Sequence, residues 1–121
     1  MSNLVVSNIS DGTTSVGTEY VVNGSAKAWL HSASDATLYD SFNISSSVDV
    51  IVGDSQFYYT NSFISANYSA TCNPRITSGA SYTGIPTTSS NSGSLYTRGH
   101  RSSSDVETDM RMNAAMFGDL A

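Results

Sequence analysis

Charge is scarce in this chain of 121 residues: charged side chains make up 12% of it, roughly half the share of an ordinary globular domain. Lys27 is the one lysine, and with four arginines it faces ten acidic residues, for a net charge of −5. Phosphate binding needs clustered positive charge, so no nucleic-acid partner is expected. Long apolar runs are missing too, so no membrane-spanning helix is expected. Cysteine occurs once. Cys72 cannot close an intrachain disulfide, and it sits in an alternating run where a small buried hydrophobe is expected. Met1 to Asn8 has neither the positive start nor the apolar stretch of a secretory leader, which implies a chain made in a cytoplasm.

Chemical motifs are equally sparse. His31, His100 and Cys72 are too far apart in sequence for a spaced ligand set, and no metal or cofactor is expected. Asp105, Glu107 and Asp109 would line one face of a strand, but without a calcium-loop pattern they read as a solvated acidic stripe. With 24 serines in the chain, a serine near a histidine and an aspartate carries no information. No Gly-x-Ser-x-Gly turn is present, nor any Gly-x-x-x-x-Gly-Lys loop. No catalytic residue is assigned, and the chain is read as not an enzyme.

What is abundant is Ser, Thr and Asn, which fill 45 of 121 positions, while 39% of residues are hydrophobic and supply enough for a core. Apolar residues recur mostly with period two. Ala26 to His31 alternates, with Lys27, Trp29 and His31 on one face. Phe42 and Ile44 lie two apart, as do Val48, Val50 and Val52, and Tyr68, Ala70 and Cys72. Gln56 to Thr60 is dense in aromatics suited to a pleated surface. Asp11-Gly12, Asn23-Gly24, Gly53-Asp54, Asn73-Pro74, Gly84 to Pro86 and Ser92-Gly93 punctuate these runs with turns. Asp105 to Phe117 can be read with either period, but strict alternation over eleven residues favours a strand with Met110, Met112, Ala114 and Met116 on one side. The fold expected is all-β: an antiparallel sandwich, jelly-roll-like, or a short barrel.

Two segments stand apart. Residues 1–15 form an arm whose Leu4-Val5-Val6 triplet is the expected anchor, ahead of a single β domain at 16–121. The stretch Thr77 to Ser94 has few core-forming side chains and reads as an exposed contact loop carrying Thr83, Thr87, Thr88 and Asn91.

Four stretches together resemble one family. The run Val16 to Leu30, containing Asn23-Gly24-Ser25-Ala26-Lys27-Ala28-Trp29, is the most specific of them. Asp40-Ser41-Phe42-Asn43-Ile44-Ser45-Ser46, Asn67-Tyr68-Ser69 and Met116-Phe117-Gly118-Asp119 follow in order. The pattern is similar to tail-fibre-like structural modules in the virions of tailed phages infecting marine and cyanobacterial hosts. The resemblance implies a virion surface protein, assembled as a homotrimer with other phage structural proteins. Its role would be a short tail fibre meeting a host glycan or protein receptor, or a capsid decoration protein stabilising the head. A competing reading is a soluble carbohydrate-binding module in which Trp29, Tyr58, Tyr59 and Tyr96 form one sugar-stacking platform.

Overall fold

A computed structural model describes residues 1–75, 89–101 and 106–121. Among these the chain is almost wholly β. A hairpin of β1 (Asn8–Ser10) and β2 (Ser15–Gly17) leads into the short helix α1 (Thr18–Gly24). Then come β3 (Ala28–Ser32), β4 (Leu38–Phe42), β5 (Ile44–Ile51), β6 (Asp54–Tyr59), β7 (Ser69–Arg75), β8 (Ser89–Asn91) and β9 (Ser94–Arg98). The last elements are β10 (His100–Arg101), β11 (Val106–Glu107) and β12 (Arg111–Phe117).

Two four-stranded antiparallel sheets make a sandwich. One has the order β4-β3-β12-β7 and the other β5-β6-β9-β8. Ala28, Leu30, Met112, Ala114 and Met116 point inward from the first sheet, and Phe57, Tyr59 and Leu95 from the second. Period-two alternation explains these choices directly, since inward residues follow every second position of β3 and β12. Three pairs of consecutive strands, β3–β4, β5–β6 and β8–β9, are hairpins within one sheet. A jelly roll would instead pass successive strands between the sheets.

The first crossing between the two sheets, from β4 to β5, occurs at one residue. Asn43 sits between β4 and β5 with φ 59°, a left-handed conformation that asparagine tolerates better than most residues. Its side chain secures the corner: Nδ2 donates to the carbonyls of Lys27 (3.1 Å) and Asn61 (3.0 Å), and Oδ1 accepts from the Asn61 amide (2.7 Å). Phe42 and Ile44 are therefore not neighbours on one strand. Phe42 lies exposed on the first sheet and Ile44 packs against the core from the second.

Gly53 closes the turn of the β5–β6 hairpin. It has φ 84°, its N–H donates to Asp109 Oδ1 (2.7 Å) and its carbonyl accepts from the Gly99 amide (2.7 Å). A Cβ there would lie 2.9 Å from both the Gly99 oxygen and the Thr108 nitrogen. Strain and collision act together, so Gly53→Ala is expected to cost at least ~2 kcal/mol. Thermal melting that leaves the midpoint within a degree of wild type would contradict this.

Three expectations are corrected. The helix α1 lies within a domain expected to be all-β; Glu19 in its first turn suits the positive end of the helix dipole, yet none of its residues is buried. Of the stretch from Asp105 to Phe117, the described residues from Val106 onward form two strands and not one: β11 and β12 are separated at Thr108–Met110, where Asp109 turns aside to hold Gly53. The loop placed at Thr77 to Ser94 ends sooner, because Ser89–Asn91 pairs with β9 and Ser94 is buried within it. Backbone pairing decides that strand, and serine side chains do not prevent it.

Candidate interaction surfaces

The N-terminal segment folds locally, and none of its side chains is buried. Ile9 and Val16 face each other across the hairpin. Its turn is closed by Asp11, whose Oδ1 accepts from the amides of Thr13 (2.9 Å) and Thr14 (2.7 Å). Those two donors hold the Asp11 carboxyl below the usual carboxylate range. Thr18 ties the arm to the helix start, its amide donating to the Ser7 carbonyl (2.9 Å) and its hydroxyl to that of Val6 (2.9 Å). At the other end Lys27 Nζ donates to the Val22 carbonyl and to Ser25 Oγ (2.6 Å), placing a cation on the helix C-terminus. Leu4 and Val5 are 86% and 91% exposed, and Val6, Ile9, Val16, Tyr20, Val21 and Val22 are exposed as well. The first fully buried side chain belongs to Ala28.

A second apolar area lies on the outer face of the first sheet. Trp29 stands opposite Phe42 in the ladder, and both are exposed. Tyr39 is the extra residue where the β3–β4 register shifts. Its ring lies 5.0 Å from the His31 ring, with the Arg111 guanidinium 5.6 Å from its centre. The four-aromatic platform is thereby overturned. Trp29 belongs to this face, Tyr58 points outward from the other sheet, and Tyr59 faces the core. Residues that alternate along β6 cannot share a face, so Tyr58 and Tyr59 were separable from their spacing alone.

The outer side of the second sheet holds a polar clamp. Asp54 on β6 is fully buried and opposite Arg98 on β9. Arg98 grips it with both arms, Nε to Oδ1 at 2.8 Å and Nη2 to Oδ2 at 2.7 Å. Tyr96 also donates its hydroxyl to Oδ2, and Glu107 lies 3.7 Å from Arg98. Asp54 holds the Arg98 guanidinium above its ordinary value. The hydrogen bond to Asp54 is the main cause that pushes the Tyr96 phenol up. A phenol raised in the folded state contributes stability in full below the free tyrosine value near ~10 and loses it as pH rises further. Melting between pH 8 and 11 should therefore fall more steeply for wild type than for Tyr96→Phe. Parallel curves would contradict the clamp.

The one sequence signal for this clamp was weak. Tyr96 and Arg98 share a strand face, but nothing in the sequence registers them against Asp54. The acidic stripe does not persist as such: Glu107 faces Arg98, Asp109 holds the Gly53 amide, and Asp105 lies outside the described residues.

A cavity of about 220 Å³ opens at one end of the sandwich. Phe63 and Tyr68, stacked at 4.3 Å, form its wall, with Gly118 beside them and Asn23, Asn67 and Asp119 at the lining. Three of the four stretches singled out in the sequence meet here, and the fourth is tied in through Asn43 and the Lys27 carbonyl.

Of the contact-loop residues, Thr83, Thr87 and Thr88 lie outside the described residues. Asn91 closes β8, its Oδ1 accepting from the Gly93 amide (2.8 Å) in the hairpin turn. Among the described residues no group of three or more His, Cys, Asp or Glu is placed to hold a metal ion, and no helix is long and apolar enough to cross a membrane. Cys72 packs against the core, and burial pushes its thiol up to about 11. The thiol stays protonated, hence unreactive, at neutral pH. Ellman's reagent at pH 8 should leave the native protein unlabelled and titrate one thiol after unfolding; rapid native labelling would contradict that packing.

Fold and surfaces define an all-β sandwich with an uncovered N-terminal segment. Comparison with protein-family models, with curated proteins and with solved structures finds no match.

Proposed function

We propose that this chain is a non-enzymatic surface component of a tailed-phage particle, a short tail-fibre or receptor-contact protein working as a homotrimer. The observation that carries the reading is the division of labour in the chain. A sandwich with its own core is joined to an N-terminal segment in which no side chain is buried and nine large apolar side chains are exposed. A seven-residue helix and a hairpin of two three-residue strands have little stability by themselves, so such a segment belongs in contact with other subunits. Leu4, Val5 and Val6 are its attachment residues. The resemblance of four sequence stretches to virion modules supports the particle, and few charges with many hydroxyl side chains suit subunits packed side by side. The exposed aromatics of the first sheet, Trp29, Tyr39 and Phe42, favour a receptor-facing role.

The second reading, a capsid decoration protein, draws on the same uncovered segment, which would equally knit a shell. Gold-labelled antibody against the sandwich, applied to intact particles, separates the two. Label at the tail supports the fibre reading and label spread over the head supports decoration. Particles without label overturn both.

A further inference from the structure

We infer that Leu4 to Val6 of one copy adds as a short strand to the outer edge of β5 in a second copy. The inference rests on the assembling-protein reading above and narrows the arm's partner from any particle component to this chain itself.

The donor is exposed, and its last carbonyl, that of Val6, accepts from the Thr18 hydroxyl of the same chain. Residues 1–6 belong to no helix or strand, and Leu4, Val5 and Val6 are exposed. The acceptor is the rim of the second sheet. Among the described residues β6 pairs with one side of β5 and no strand pairs with the other. Such an edge offers a row of unpaired N–H and C=O groups, which folded proteins ordinarily guard with lysine, proline or charge. Between Ile44 and Ile51 there is no lysine or proline, and Asp49 is the one charged residue. The register shifts around Ser45 and Val50 leave Ser46 to Asp49 as the regular stretch, matched in length to a three-residue donor. Val48, Val50, Ile51 and Val52 are exposed along and beyond it, ready to meet the apolar side chains of an added strand.

Charge and size agree. Met1 to Ser10 contains no charged side chain, so a chain of net charge −5 can bring this segment to Asp49 without carboxylates opposing each other. Residues 1–24 contain no buried side chain, and a segment of that length is comparable to one side of a standard interface, about 20–30 residues. Donor and acceptor are different surfaces, so the contact is head-to-tail and closes into a ring when the rotation allows. A homotrimer is the ring of three.

The test uses the purified full chain in a Cys72→Ser background. Val5→Cys is mixed, in turn, with Ser46→Cys, Ser47→Cys, Val48→Cys and Asp49→Cys under mild oxidation. Intermolecular disulfides should form in at least one mixture and in neither partner alone. Sedimentation at tens of micromolar should show an oligomer for wild type, and monomers for a deletion of residues 2–6 and for the Val48→Lys/Val50→Lys double variant. Melted at a dilution where wild type is itself monomeric, both variants should keep its midpoint, which separates lost assembly from lost folding. No cross-link in any mixture, or an oligomer that survives the deletion, overturns the inference. A monomer that still enters particles overturns it, and the homotrimer with it, while leaving the virion-surface role standing. A clasped oligomer that is missing from every particle does the reverse.

Discussion

Arg98→Leu should be clearly destabilising, because it strips a fully buried carboxylate of its bidentate cation, although the Arg98 side chain is itself 41% exposed and solvent moderates the loss. The loss does not measure what the pair contributes, since desolvating Asp54 already offsets much of the attraction. A double variant, Asp54→Leu with Arg98→Leu, should therefore recover more than half of the loss. Urea unfolding of wild type, both single variants and the double variant closes the cycle. If the Arg98→Leu variant costs less than ~1 kcal/mol, the clamp is a surface ion pair of the ordinary weak kind.

The second large effect concerns assembly. Deleting residues 2–12 removes the Leu4-Val5-Val6 triplet and one strand of the β1–β2 hairpin. Every residue removed is exposed. At a dilution where wild type is also monomeric, the sandwich should melt within about 2 °C of wild type, as expected for a change worth under ~0.5 kcal/mol. Incorporation into particles should nevertheless be abolished. Normal incorporation of the deleted chain would show that the arm is not the attachment element. A collapse of the melting midpoint would show that the arm stabilises the sandwich.

These predictions draw unequally on sequence and structure. The sandwich was legible where one face of a strand is buried. Ala28-Trp29-Leu30-His31-Ser32 and Arg111 to Phe117 both alternate, and in both the small and apolar positions turn inward. β8 was not legible, because Ser89, Ser90 and Asn91 carry no apolar signal and are held by backbone pairing to β9. Nor was α1, whose two valines suit a strand better than a helix. The clamp depends on register between strands 44 residues apart, information that no local pattern contains. The arm was visible as an apolar triplet in polar surroundings, but its lack of any buried contact is a property of the three-dimensional fold.

Whether the chain is a part of a particle at all is decided most directly by counting it there. Gradient-purified particles from phage encoding this chain should contain it at a fixed copy number, a multiple of three, when measured by quantitative mass spectrometry against the major capsid protein. The same copy number should survive a high-salt wash, since the attachment surface is apolar and uncharged. Particles that lack the chain, or that carry it in variable amounts removed by washing, would contradict a structural role in the virion.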